Sequence, residues 1–196
     1  MRTMLRGLVV LSLALMVGPL STGVANAAAE PFVPARIPDL SLTPQQRALA
    51  VTGPYHFQFK HSRKCLANPA GSTANGTQMI QWTCAEIDDQ LWYLHWDVDG
   101  TSFRMSNKKS GKCLDVRGGV VANGTVIQQW TCGATNANQF FRVYELPAPD
   151  GFQIYTSLDY SHLHCVHQHG AVQTNGGEVT LFSCYGRQTN IEFSYW

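Results

Sequence analysis

Charge is scarce in this chain: Asp, Glu, Lys and Arg make up 14% of its 196 residues and balance to a formal +1 at pH 7. No basic stripe or acidic tail stands out, so nucleic acid and anionic membrane surfaces are poor partners for it. No apolar run reaches the length of about 20 residues that a bilayer demands. No nucleophile motif, metal-ligand spacing or recurring Asp/Glu pair is present, and glycoside hydrolysis needs two carboxylates across the scissile bond. The sequence therefore reads as a non-enzyme with no cofactor and no resident metal, leaving open only carboxylates distant in sequence that meet in space. What is there is a chain 44% hydrophobic and well stocked with aromatics. That is enough for a packed core, and it suits a partner that is neutral, polar and ring-shaped.

The first residues read as a secretion signal. Arg2 and Arg6 supply a positive start, Leu8 to Val17 is apolar apart from Ser12, and Ala25-Asn26-Ala27 gives the small-x-small cleavage pattern. An uncleaved anchor is the alternative, and the shortness of the run argues against it. Loss of residues 1–27 removes two arginines and leaves 12 basic against 13 acidic side chains. An extracellular location follows as the expectation. It makes disulfides the favoured reading of the six cysteines, ahead of metal ligands or catalytic thiols.

Those cysteines stand at 65 and 84, 113 and 132, 165 and 184, each pair 19 positions apart. Three equal intervals point to one bridge inside each of three repeats. The surrounding residues agree. Lys64-Cys65-Leu66, Ala74-Asn75-Gly76-Thr77 and Gln81-Trp82-Thr83-Cys84 recur as Lys112-Cys113-Leu114, Ala122-Asn123-Gly124-Thr125 and Gln129-Trp130-Thr131-Cys132. A looser third copy runs through His164-Cys165-Val166, Asn175-Gly176 and Leu181-Phe182-Ser183-Cys184, and the copies end in Trp92, Phe141 and Phe193.

The Asn-Gly pairs are turn dipeptides, because both residues tolerate positive φ. They divide short alternating runs such as Tyr55–Phe59 and Phe152–Tyr155, which read as half-buried strands. Asn75 and Asn123 also fit the Asn-Gly-Thr glycosylation pattern, which the turn explains more simply. No long amphipathic helix follows the leader. Thr43–Leu49 reads as a brief helix with Thr43 as N-cap and Pro44 at its first position. Residues 28–53 otherwise read as a proline-rich arm. Many short strands in three similar units mean an all-β architecture, and three units favour a threefold barrel over a propeller, which usually needs four or more blades.

The second repeat, Cys113-Leu114-Asp115-Val116, Ala122-Asn123-Gly124-Thr125, Gln128-Gln129-Trp130-Thr131-Cys132 and Asn138-Gln139-Phe140-Phe141, resembles the ricin B-type lectin domain, a module also found on secreted bacterial glycosidases. The resemblance covers about residues 55–196. It implies a β-trefoil of three pseudo-symmetric repeats, four strands each, with one shallow sugar pocket available per repeat. The domain is expected over 54–196, with repeats at about 54–97, 100–146 and 151–196. The family's Gln-x-Trp element stands as Gln90-Leu91-Trp92, Gln139-Phe140-Phe141 and Ile191-Glu192-Phe193, and its aromatics Trp92, Phe141 and Phe193 are assigned to packing.

The resemblance also sorts the pockets. Its ligand carboxylate falls on Asp115, its stacking aromatic on Trp130 and its polar partners on Gln128, Asn138 and Gln139. The chemistry suits a sugar: an indole lies against the C–H face of a ring, an ionised Asp accepts from paired hydroxyls, and an amide both donates and accepts. The bland readings are a turn-capping Asp115 and a core Trp130. The first repeat keeps Trp82 and Gln90, with Ala67, Ile80 and Asp89 at the other three positions. The third has His167, Thr180, Phe182 and Ile191, and holds only Asn190. One good site is expected, in the second repeat. His162, His164, His167 and His169 form the other conspicuous cluster; alternation puts His162 and His164 on one strand face, but no zinc or nickel spacing signature supports a metal site there. Two function classes remain. One is a lectin for galactose-like glycans or for xylan or arabinan. The other is a trefoil that binds a secreted protein partner, as an inhibitor or as the delivery subunit of a toxin.

Overall fold

Thirteen short antiparallel strands, each three to five residues long, make up the described part of the chain. The computed structural model describes residues 42–147, 151–159, 161, 164–185 and 188–196. The leader at 1–27, most of the arm and His162 lie outside them. No helix among the described residues is long and apolar enough to cross a membrane.

The strands fall into three runs. The first holds β1 (Val51–Tyr55), β2 (Phe57–Phe59), β3 (Lys64–Ala67), β4 (Ile80–Thr83) and β5 (Trp92–Trp96). The second holds β6 (Phe103–Asn107), β7 (Cys113–Val116), β8 (Ile127–Trp130) and β9 (Phe141–Glu145). The third holds β10 (Phe152–Thr156), β11 (His164–Gln168), β12 (Val179–Ser183) and β13 (Glu192–Tyr195). In each run the outer strands build a barrel wall, and the inner two pair with each other: β3 with β4, β7 with β8, β11 with β12. The fold is an all-β trefoil. Its threefold symmetry explains the extra strand. Tyr55 pairs with Trp92, Phe103 with Phe141 and Phe152 with Phe193, so β1 and β2 are one wall strand interrupted at the buried His56.

Aromatics hold the barrel together. Phe57, Phe59, Trp92, Phe103, Phe141 and Phe193 are fully buried, each removal from water stabilising by about 2–3 kcal/mol. The Trp92 indole N–H is not wasted: it donates to the Leu66 carbonyl at 3.1 Å. Alternation is present in β10, but both of its faces are covered, with Gln153 nearly as buried as Phe152 and Ile154. The strand is therefore more enclosed than its pattern suggests.

Three disulfides, Cys65–Cys84, Cys113–Cys132 and Cys165–Cys184, give one bridge per repeat. The Asn-Gly turns then tie the repeats into a ring. Asn75 Oδ1 accepts from Thr131 N and Oγ1 in the second repeat, Asn123 Oδ1 from Ser183 N and Oγ in the third, and Asn175 Oδ1 from Thr83 N and Oγ1 in the first. The following glycines sit at φ of 82°, 86° and 84°, where a Cβ is disfavoured.

Upstream, α1 (Pro44–Arg47) forms as the sequence suggests, with Thr43 and Gln46 in a capping box. Arg47 docks it: its Nε donates to the Gly100 carbonyl at 2.8 Å, and its guanidinium lies 4.9 Å from the Trp96 ring centre. Val51 and Thr52, within the stretch read as arm, pair with β5.

Candidate functional site

Antiparallel pairing of β7 with β8 sets Asp115 directly opposite Gln128, where cross-strand side chains meet. Gln128 Nε2 donates to Asp115 Oδ1 at 2.9 Å. The turn 137–139 before β9 brings two more amides. Gln139 Nε2 donates to Asp115 Oδ2 at 3.1 Å, and Asn136 Nδ2 reaches the same oxygen at 3.4 Å. Burying a carboxyl group costs free energy unless its oxygens accept hydrogen bonds. Asp115 is 2% exposed and has three.

The carboxylate opens into a pocket of about 540 Å³ lined by Gly76, Asp115, Arg117, Gly118, Gln128, Trp130, Asn136 and Asn138. Trp130 closes one side with its ring 43% exposed, so it is not a core residue. Asn138 stands in the opposite turn, its backbone N–H donating to Asn136 Oδ1 at 3.2 Å. Gly119, beside it, sits at φ 67°, where a Cβ is disfavoured, and a methyl there would lie 2.7 Å from Asn138 Oδ1 and displace that amide.

Four of the five residues singled out from the sequence, Asp115, Gln128, Trp130 and Asn138, line this pocket together. Gln139 does not. It is fully buried behind Asp115, where its Nε2 also donates to Thr131 O at 3.0 Å and its Oε1 accepts from Gly133 N at 2.9 Å. Its direct contact with a ligand gives way to support of the acid, because the side chain is spent on holding the turn. Sequence reading passed over Arg117, Asn136, Gly118 and Gly76. Arg117 carried a signal, two positions after Asp115; Gly76 carried none, since it belongs to the first repeat. Arg117 Nε donates to Gln128 Oε1 at 2.9 Å, and Nη2 donates to Gly76 O at 3.1 Å.

The other two repeats have the same backbone and different chemistry. In the first, Gln90 repeats the clamp of Gln139, donating to Thr83 O and accepting from Ala85 N, but Ala67 offers it no acid. Trp82 remains 46% exposed. Burial pushes the Asp89 carboxyl above its ordinary value. In the third repeat, His167 takes the place of the acid and is held at both ring nitrogens. Nδ1 faces Thr180 Oγ1 at 3.3 Å, and Nε2 faces Asn190 Nδ2 at 2.8 Å. An amide N–H must donate, so Nε2 accepts and the proton sits on Nδ1. Phe182 stacks on this imidazole, ring centres 4.8 Å apart, so the aromatic that would meet a ligand is taken up by the protein. Burial, with His169 and His61 nearby, lowers the His167 pKa to about 4. His164 Nδ1 pairs with Asp159 Oδ2 at 2.7 Å. No group of three or more His, Cys, Asp or Glu able to hold a metal occurs among the described residues.

The family model of the ricin-type β-trefoil lectin domain-like proteins matches residues 45–130 and 88–182. Solved structures agree on the fold. The designed threefold-symmetric protein ThreeFoil is similar at 24% identity, with 74% of this chain and 98% of that one covered and a TM-score of 0.66. An exo-β-1,3-galactanase from Clostridium thermocellum is similar at 28% identity over 74% of this chain, TM-score 0.66, and the chain spans 30% of that enzyme. The Macrolepiota procera ricin B-like lectin, solved with lactose, is similar at 14% identity over 76% of this chain and 95% of its own, TM-score 0.61. No curated protein matches the chain.

Proposed function

Because the chain belongs to the ricin-type β-trefoil lectin domain-like family, we propose that it is an exported carbohydrate-binding protein, a lectin and not an enzyme, with one main sugar pocket in its second repeat. The observation that carries this reading is the pairing of a buried, triply donated carboxylate, Asp115, with a half-exposed indole, Trp130, in one open pocket. Trp130 offers a flat face for the C–H side of a pyranose, Asp115 an anchored acceptor for a hydroxyl, and Asn138 a group that both donates and accepts. Gln128, Gln139 and Asn136 hold the acid in place. Three protein donors leave Asp115 about one of its roughly four lone-pair positions, so it takes one strong hydroxyl bond rather than two.

Galactose-like sugars are the preferred class, with xylan or a related plant polysaccharide second; the first is in keeping with the chain's similarity to 30% of an enzyme that is named a galactanase. A lone shallow pocket suits a monosaccharide Kd of about 1 mM, worth about 4 kcal/mol, so retention calls for a polymeric glycan or several copies. In this reading residues 1–27 are a signal peptide, and the sugar-binding domain expected over 54–196 also takes in α1 and the start of β1 from the stretch read as an arm at 28–53. The disulfides suit an extracellular place.

Retention on galactose and xylan matrices tests the proposal. Asp115→Ala and Trp130→Ala should each weaken binding by about 5- to 150-fold, since losing either partner costs on the order of 1–3 kcal/mol, while circular dichroism stays native. Full retention by both folded variants would sink the site.

A further inference from the structure

We propose that Arg117 makes the second-repeat pocket selective for sugars that carry a carboxylate, uronic acids in the first instance. This rests on the sugar-binding reading and narrows it.

The guanidinium is built into the pocket, not loose beside it. Two of its five N–H donors are committed, Nε to Gln128 Oε1 and Nη2 to Gly76 O in the neighbouring repeat, which orients the group at the pocket wall. Both Nη1 protons and one on Nη2 have no partner among the described residues. An end-on pair of N–H groups of this kind matches the two oxygens of a carboxylate. The two charges in the lining are placed asymmetrically. Asp115 is buried and receives three donors, whereas Arg117 is exposed. The other six lining residues, Gly76, Gly118, Gln128, Trp130, Asn136 and Asn138, are uncharged, so an arriving ligand meets the cation first. Gln128 bridges the pair, accepting from Arg117 and donating to Asp115, which holds the guanidinium at the mouth and the carboxylate inside at fixed places.

The repeats supply an internal comparison. Pro69 and His169 stand where Arg117 stands in the second repeat, each the second residue after Ala67 and His167. Neither is a permanent cation. The chain as a whole is close to neutral, so no distant field blurs the local one.

The test titrates the mature, disulfide-intact protein with methyl galacturonide, its methyl ester, methyl galactoside and the methyl glycoside of a nonulosonic acid, followed by Trp fluorescence and calorimetry. The free galacturonide should bind about tenfold more tightly than its ester or the galactoside at low ionic strength. That advantage should shrink as salt screens the rim. The nonulosonide tells whether any ring-borne carboxylate serves or only one on a hexose. In Arg117→Gln the ratio of galacturonide to galactoside affinity should fall to about one; in Arg117→Lys, which keeps the charge without the fork, it should be intermediate. Equal affinity for acid and ester in the unaltered protein overturns the proposal without involving any variant, as does a ratio that survives Arg117→Gln. Absence of binding to all four sugars overturns this inference; absence of retention on galactose and xylan matrices as well overturns the sugar-binding reading beneath it.

Discussion

Three donors on Asp115 and two partners on His167 are alternative solutions for the same backbone position. A carboxyl group there is buried at low cost only because amides donate to it, and its remaining acceptor capacity is what a ligand hydroxyl would use. An imidazole there is stable only when neutral, and it draws Phe182 onto itself. The consequence for acid stability is specific. An unfolded histidine takes up its proton near pH 6.5, whereas folded His167 does so at about 4. Above pH 6.5 both states are neutral and this group adds no slope. Between about 6.5 and 4 the unfolded chain binds more protons, so stability falls as pH falls. After allowance for solvent screening, the effect amounts to about 1–3 kcal/mol across that window. His167→Gln should flatten the decline, which urea denaturation at pH 7, 5.5 and 4.5 will measure; an unchanged slope in a folded variant removes His167 as its source.

At the scale of elements, the second-repeat pocket is made by two repeats. Gly76 forms part of its wall, and a methyl there would stand 3.8 Å from the Trp130 ring. Asn75, next to it, holds Thr131, whose carbonyl accepts from Gln139, which in turn donates to Asp115. The pseudo-threefold axis provides a control. Asn75→Ala and Asn123→Ala remove the same kind of turn contact at different joints, each costing about 1–2 kcal/mol of stability. Only Asn75→Ala should also weaken sugar binding, by roughly tenfold, while Asn123→Ala, whose partner Ser183 lies in the third repeat, keeps full affinity. Calorimetric titration of the two side by side decides it: equal affinities mean that the turn matters to the fold alone.

For the whole molecule, the disulfides matter out of proportion to their number. Each closes a loop with a sequence separation of 19, worth about 3 kcal/mol in the chain-entropy account. Typical domains have only about 5–15 kcal/mol in total. Removing one bridge with Cys113→Ser and Cys132→Ser should lower the urea midpoint by the equivalent of about 2–4 kcal/mol. Asp115 lies two residues beyond Cys113, so the same change should weaken binding. Reduction of all three should unfold the protein under conditions in which the oxidised form is native, read by near-ultraviolet circular dichroism.

Equal cysteine spacing, the Asn-Gly turns and the aromatic that ends each copy were enough, read along the chain, to establish an all-β threefold fold, because each is a local constraint repeated three times. Asp115, Gln128, Trp130 and Asn138 were legible through the resemblance to the ricin B-type lectin domain, because they lie close together within one repeat that matches its pattern. Tertiary structure alone decided the rest. Gln139 belongs behind the acid because its amide is claimed by Thr131 and Gly133. Asn136 was hidden by the extra residue that the second repeat carries between Cys132 and Phe141, compared with Cys84 and Trp92 in the first. Gly76 reaches the site from the neighbouring repeat, and no spacing within one repeat encodes a contact made across the joint between two.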